Sequence, residues 1–114
     1  MRIAFALVLT LGLPAFAAVG TVTGVSVSPA HPSAGTAVKV TVTGTNPCGA
    51  VEIDYGDGAV ITYPIPGLPT TQTHAYRGGG AYTLVARGLG NCSGEASTSV
   101  EVSGPPPQPP PPVA

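Results

Sequence analysis

Short runs of alternating apolar and polar residues, each ended by glycine, proline or asparagine, most constrain the fold of this chain. Val38, Val40 and Val42 share one side of such a run, while Lys39 and Thr41 share the other. A period of two predicts an antiparallel strand with one face in a core and the other in water. From Thr21 onward the chain shows no helical period, so the sequence predicts an all-β sandwich or barrel. The same alternation recurs in residues 25–27, 51–55, 59–63, 82–86 and 96–102.

The first 17 residues have the pattern of a secretory signal peptide. Arg2 precedes an apolar run at 3–13, Pro14 breaks it, and the sequence AFA at 15–17 fits a small-x-small cleavage site. An uncleaved anchor is the alternative, but the run is shorter than the ~20 residues that span a bilayer. We therefore predict a signal peptide at 1–17 and a soluble mature chain that is secreted or periplasmic. The compact peptide indicates a bacterial source.

Charge excludes two classes of partner. Charged residues make up 8% of the chain, against roughly 25% in ordinary soluble domains. Loss of residues 1–17 removes Arg2, so three Lys/Arg remain against five Asp/Glu and the net charge moves from −1 to −2. Such a surface has no electrostatic footprint for nucleic acid or anionic lipid. We expect neither as a partner, and no membrane span after signal cleavage.

Cys48 and Cys92 are the two cysteines of the chain. An oxidising compartment favours joining them, and two free buried thiols are the alternative. A zinc site needs further ligands, and His31 and His74 are not at finger spacing. We therefore predict a Cys48–Cys92 disulfide and no metal or cofactor.

The chain ends in a proline-rich segment, GPPPQPPPPVA, at residues 104–114. Proline has no N–H to donate to a sheet, so this segment predicts an extended polyproline or disordered tail. A ligand for a proline-binding groove is the alternative. The folded domain is predicted at residues 19–103.

Carboxylates and glycines cluster in VEIDYGDGAVITY at 51–63. Glu52, Asp54 and Asp57 could form a calcium site, a catalytic pair, or the outer face and turn of a hairpin. Asp-Gly is a strong hairpin dipeptide, because glycine takes positive φ freely and aspartate bonds the following backbone. Turn chemistry alone therefore accounts for Gly56, Asp57 and Gly58.

The same stretch resembles a known family. IDYGDG at 53–58 is similar to the WDFGDG signature of PKD (polycystic kidney disease) domains, and HAYRGGGAYTLVARG at 74–88 resembles that family's second signature. The resemblance covers about residues 22–103. The positions that match, besides Leu84, are Asp54, Tyr55, Gly56, Asp57, Gly58, His74, Tyr76, Gly80 and Tyr82.

The resemblance implies a seven-stranded antiparallel immunoglobulin-like β-sandwich. It also implies an extracellular, non-enzymatic module, expected as a monomer, that binds proteins or polysaccharides or acts as a spacer. Two features depart from the family pattern: Ile53 replaces the core tryptophan, and the cysteines are extra. In the sandwich, Cys48 would precede the third strand and Cys92 the last, at one end, so a bridge is geometrically reasonable.

Other functions remain as alternatives. Calcium needs six to eight oxygens, and the three carboxylates at 52–57 supply few of them. The chain lacks a G-x-S-x-G nucleophile elbow, and in the PKD register His74 is expected to be structural, so we expect no enzyme. Of the tyrosines, Tyr63 is the one expected to be available to a ligand. The rival hypotheses are a structural envelope spacer and a small secreted calcium or glycan binder.

Overall fold

The computed structural model describes residues 19–106, which form two four-stranded sheets. The predicted signal peptide and the last eight residues of the predicted tail lie outside this range. The strands are β1 (Gly20–Ser28), β2 (Ala37–Thr45), β3 (Ala50–Asp54), β4 (Val60–Pro64), β5 (Thr70–Ala75), β6 (Gly80–Gly88), β7 (Cys92–Ser93) and β8 (Glu95–Val102). Within the described residues, no helix is long and apolar enough to cross a membrane.

The sheets have the orders β5-β2-β1-β7 and β4-β3-β6-β8. This arrangement confirms the predicted all-β sandwich. The count of seven strands is approximate, because the two-residue strand β7 is an addition to it. β7 also pairs in parallel with β1, through Gly20–Cys92 and Thr21–Ser93, whereas the other neighbours are antiparallel.

The core consists of the apolar positions of the alternating runs. Val38, Val40 and Val42 of β2 are fully buried. Ile53, at the position of the family's tryptophan, is also fully buried and lies between Ala86 of β6 and Ile61 of β4. A β-branched side chain thus occupies this central core position.

Strand β5 was not predicted from the sequence. Its residues, TTQTHA, contain no large apolar side chain, but their backbone pairs with β2 from Thr70–Val42 to Ala75–Ala37. The chain reaches β5 by crossing from one sheet to the other after β4. Asn46 stabilises the segment between β4 and β5. Its side chain accepts a hydrogen bond from Leu68 N (2.7 Å) and donates one to Leu68 O (2.9 Å).

The predicted disulfide is confirmed. Cys48 and Cys92 are bonded, with Cα atoms 4.7 Å apart, and each residue is 3% exposed. Cys48 precedes β3 and Cys92 opens β7 just before β8, as expected. The bond closes one end of the sandwich, where Gly20 N donates to Asn91 O (3.0 Å).

Candidate functional site

Aspartate side chains shape the hairpin turn between β3 and β4. Tyr55 N donates to Ala59 O at 2.9 Å and closes the loop. Inside it, Asp54 Oδ1 accepts from Gly56 N at 2.9 Å, and Asp57 Oδ1 accepts from Ala59 N at 3.1 Å. Each bond links an aspartate to the backbone two residues ahead, which is the local bonding that makes aspartate a turn residue.

Two glycines complete this turn, and they do so for different reasons. Gly56 and Gly58 have φ of +84° and +96°, a region that costs L-residues steric strain. At Gly56 a Cβ would also lie 2.4 Å from Thr83 O, whereas at Gly58 nothing lies within 4 Å. Gly56 therefore allows close approach of β6 as well as the turn conformation.

The turn is joined to the opposite sheet by His74. His74 lies on β5, and its Nε2 is 2.8 Å from Asp57 Oδ2. The two side chains are 14% and 18% exposed, so the pair is largely screened from water. Because β5 and the β3–β4 hairpin belong to different sheets, this bond spans the sandwich.

Aromatic rings continue inward from His74. The imidazole stacks on Tyr55 with centroids 3.8 Å apart and an interplanar angle of 10°. Tyr76 meets the imidazole edge-on at 4.8 Å and stacks on Tyr82 at 4.4 Å. The edge-on contact between His74 and Tyr76 has the geometry that adds stabilisation beyond area burial. The four rings form an aromatic row that links the two PKD-like motifs.

Hydroxyl groups of this row find partners inside the protein. Tyr76 Oη donates to Tyr55 O at 2.8 Å, a second bond across the sheets. Tyr82 Oη donates to Gly78 O, four residues upstream, at 2.8 Å, a device similar to the tyrosine corner of immunoglobulin-like sandwiches. Tyr55 and Tyr63 share a hydroxyl–hydroxyl bond of 2.5 Å. Tyr63, expected to be available to a ligand, is half-buried and bonded.

Burial changes the acidity of the two innermost tyrosines. Desolvation raises the pKa of Tyr55 well above its usual value, and the hydrogen bond with Tyr63 raises it further. Desolvation also raises the pKa of Tyr76, with an added contribution from the negative charge of Asp57. Both phenols are therefore held neutral throughout the physiological pH range.

An open pocket of about 760 Å³ lies beside the Asp57–His74 pair. Its lining includes this pair, residues 56–59 of the turn, Arg77 and Tyr82. Arg77 has no ion-pair partner among residues 19–106. Gly80, also named from the motif, opens β6 beside the pocket with φ of +149°. The pocket is lined by Gly56, Asp57, Gly58, Ala59, His74, Ala75, Arg77, Gly78 and Tyr82.

The three carboxylates considered for calcium point to separate partners. Glu52 Oε1 lies 3.5 Å from an Arg87 nitrogen, Asp54 binds the turn backbone, and Asp57 binds both the backbone and His74. No group of three His, Cys, Asp or Glu side chains suited to a metal occurs in the part of the chain that the structure describes.

A solved structure has a similar architecture. The solution structure of the PKD domain from the human VPS10 domain-containing receptor SorCS2 superposes with a TM-score of 0.61. The match covers 88% of this chain and 85% of that one, at 23% sequence identity. The chain has a PKD-like fold. No family model and no curated protein matches it.

The PKD-like fold explains why two motifs distant in sequence go together. The first motif supplies Tyr55 and Asp57 on the hairpin of one sheet, and the second supplies His74 and Tyr76 at the edge of the other. Their direct contacts were not predicted, because spacing along the chain does not show which side chains meet across a sandwich. The sequence indicates these contacts only through the presence of both motifs in the same chain.

Proposed function

We propose that this chain is an exported, non-enzymatic PKD-like module for interaction with an extracellular protein or polysaccharide, or for spacing such partners. The single observation that carries the proposal is the set of contacts by which His74 joins Asp57 and Tyr55, and so joins the β3–β4 turn to the opposite sheet. A loop fixed in this way presents a pre-organised surface beside the pocket, and pre-organisation lowers the entropic cost of binding.

The bonding of the polar groups supports a non-enzymatic role. Asp57 uses Oδ1 for the turn backbone and Oδ2 for His74, and His74 uses Nε2 for Asp57. A general base needs a free position within hydrogen-bond reach of a substrate proton. Both carboxylate oxygens of Asp57 are therefore engaged within the fold, so Asp57 is not a free general base.

Export and domain limits form part of the proposal. The buried disulfide is typical of an oxidising compartment, which supports a secreted or periplasmic location. We place the signal peptide at 1–17, the domain at 19–103 and the proline-rich tail at 104–114. Mass spectrometry of the exported protein should find its N-terminus at Ala18 or one residue later, and an intact Met1 in membranes without a processed form would contradict this.

A second candidate function, that of a spacer, has its own observation. β1 begins at the disulfide end, where Gly20 pairs with Cys92, whereas β8 ends at the opposite end, where Val102 pairs with Gly80. The chain therefore enters the domain at one end and leaves at the other. A polyproline tail at residues 104–114 would extend such a spacer further.

An array of glycans and extracellular matrix proteins, probed with the mature protein, separates these functions. Saturable binding that is weakened by Arg77→Gln at the pocket, but not by Arg87→Gln near the other end of β6, supports a binding module. Absence of binding from the whole array favours the spacer. The array is run in calcium and in chelator, and binding that needs calcium would favour the calcium binder and contradict the expected absence of a metal.

A further inference from the structure

Strand β4 ends its sheet with an open edge. In the described residues it pairs with β3 alone, from Asp54–Val60 to Ala50–Pro64, without a bulge. Its far side therefore presents backbone donors and acceptors to solvent. β4 also carries Val60 and Ile61, which are 52% and 39% exposed and are, with Val19, the exposed large hydrophobic residues of the described chain.

This edge has little of the protection that sheet edges normally carry. Natural proteins guard an open edge with charged side chains, proline, bulges or a short strand. The chain has no Asp, Glu, Lys or Arg between Asp57 and Arg77, so β4 has no charged residue to repel another strand. Pro64 stops pairing at its last position, which leaves residues 60–63 free to pair.

The other open edges are less suited to pairing with a copy of themselves. β8 carries exposed Glu95 and Glu101 near its two ends, and antiparallel self-pairing brings such like charges face to face. β7 has two residues. β5 has no Asp, Glu, Lys or Arg, but it lacks exposed large apolar side chains. β4 therefore combines open backbone, exposed apolar surface and neutrality.

We propose that β4 is a self-association edge, at which a second copy of this chain pairs antiparallel, β4 to β4. The pairing is isologous and would join the two four-stranded sheets into one continuous sheet across a two-fold axis. The proposal concerns oligomeric state, replaces the expected monomer, and does not depend on what the pocket binds.

Charge gives little opposition to a second copy as the occupant of this edge. In the pair, Glu52 and Asp54 on β3 lie three strand spacings from the β3 residues of the partner copy, ~14 Å. This exceeds the ~8 Å Debye length at physiological ionic strength, so the net charge of −2 opposes pairing only weakly. The chain's own proline-rich segment cannot take the place of the second copy, because its prolines lack the N–H groups that a ladder needs.

Sedimentation of the mature protein over a range of concentrations tests the proposal. The wild type should shift reversibly from monomer to dimer mass, and the backbone amides of residues 60–63 should gain hydrogen-exchange protection at the same concentrations. Thr62→Lys puts a lysine on the edge strand, a charge that guards natural sheet edges against pairing, and should leave a monomer with an unchanged melting temperature. Val60→Lys, which lies opposite Asp54 of β3 and so adds no like-charge pair within the monomer, provides an independent second variant.

Thr83→Lys is the matched control. Thr83 is exposed on β6, inside the same sheet and paired with Ser99 of β8, so a lysine there should leave dimerisation unchanged. A wild type that stays monomeric up to about 1 mM, the concentration range of very weak complexes, would overturn the proposal. So would a dimer that persists in both Thr62→Lys and Val60→Lys.

Discussion

His74 Nε2 lies 2.8 Å from Asp57 Oδ2, while the ring of His74 stacks on Tyr55 at 3.8 Å. A single imidazole on β5 thus contacts the residues at the start and the middle of the β3–β4 turn. One contact is a hydrogen bond to a carboxylate and the other is a ring stack, and different substitutions can remove them separately.

A double-mutant cycle should isolate the hydrogen bond. Asp57→Ala, His74→Phe and their combination should give a coupling free energy of about 1–2 kcal/mol, since bonds to charged groups contribute more than neutral ones but this pair is partly exposed. Phenylalanine keeps an aromatic ring beside Tyr55. Denaturant unfolding supplies the measurement, and additive effects would show that the pair contributes nothing to stability.

Asp57→Asn is the control for the turn itself. The amide oxygen of asparagine can still accept from Ala59 N, as Asp57 Oδ1 does. We therefore expect Asp57→Asn to fold and to lose less stability than Asp57→Ala. Its melting temperature, like that of the wild type, should not change between chelator and millimolar calcium. A calcium-dependent rise that Asp57→Asn abolishes would show a metal site.

The two turn glycines should respond differently to alanine. Gly58→Ala adds only the cost of positive φ, about 1–2 kcal/mol, because its Cβ would meet nothing within 4 Å. Gly56→Ala also drives a Cβ to 2.4 Å from Thr83 O, so we expect a loss of about 3 kcal/mol. Chemical denaturation of both variants gives the ranking, and equal losses would contradict the close approach of β6.

High pH should unfold the domain through Tyr55 and Tyr76. Both pKa values are raised in the folded state by burial, whereas the unfolded chain loses these protons near the usual tyrosine pKa of about 10. The unfolded state then binds fewer protons, so this contribution to stability is complete below about pH 10 and falls above it, by up to about 1.4 kcal/mol per pH unit for each tyrosine.

Melting temperatures measured between about pH 8 and pH 11 test this expectation. Tyrosinate absorbance from these two residues should appear only as the domain unfolds. Tyr55→Phe removes one titrating group and should lessen the fall. A melting temperature that stays level across the whole range would refute the assignment.

Loss of the disulfide should be the costliest of these changes. Cys48→Ala with Cys92→Ala removes a crosslink between residues separated by 44 positions, which the chain-entropy model values at ~4 kcal/mol. That is a large part of a typical stability of roughly 5–15 kcal/mol. Thiol titration of the native wild type should find no free thiol, and two reactive thiols in freshly exported protein would contradict the bond.

The sequence predicted those parts of the fold that depend on local pattern. Val38, Val40 and Val42 were assigned to the core by alternation, and all three are fully buried. β5 was missed because an edge strand rich in threonine shows no apolar period, and its position depends on pairing with β2. β7 was missed because two residues are too few to form a pattern.

The candidate site also has one part that the sequence predicted and one part that it did not. Turn chemistry at Asp57 and Gly58 was readable from neighbouring residues, and the turn has the expected backbone bonds. The Asp57–His74 bond was not readable, because it joins residues 17 positions apart whose meeting depends on how two sheets pack. Recognition of both motifs indicated that these residues matter but not what they contact.

The position of the disulfide also determines how the domain would respond to tension. A force applied between Gly20, beside the disulfide, and Val102, at the far end, runs along β1 and β8 and loads their hydrogen bonds in shear. When the domain gives way, the segment between Cys48 and Cys92 stays looped, because the covalent bond carries the load past it. At full extension that segment would be about 150 Å long, and the intact disulfide prevents this length from being released. An oxidised domain would therefore lengthen far less than a reduced one when pulled apart.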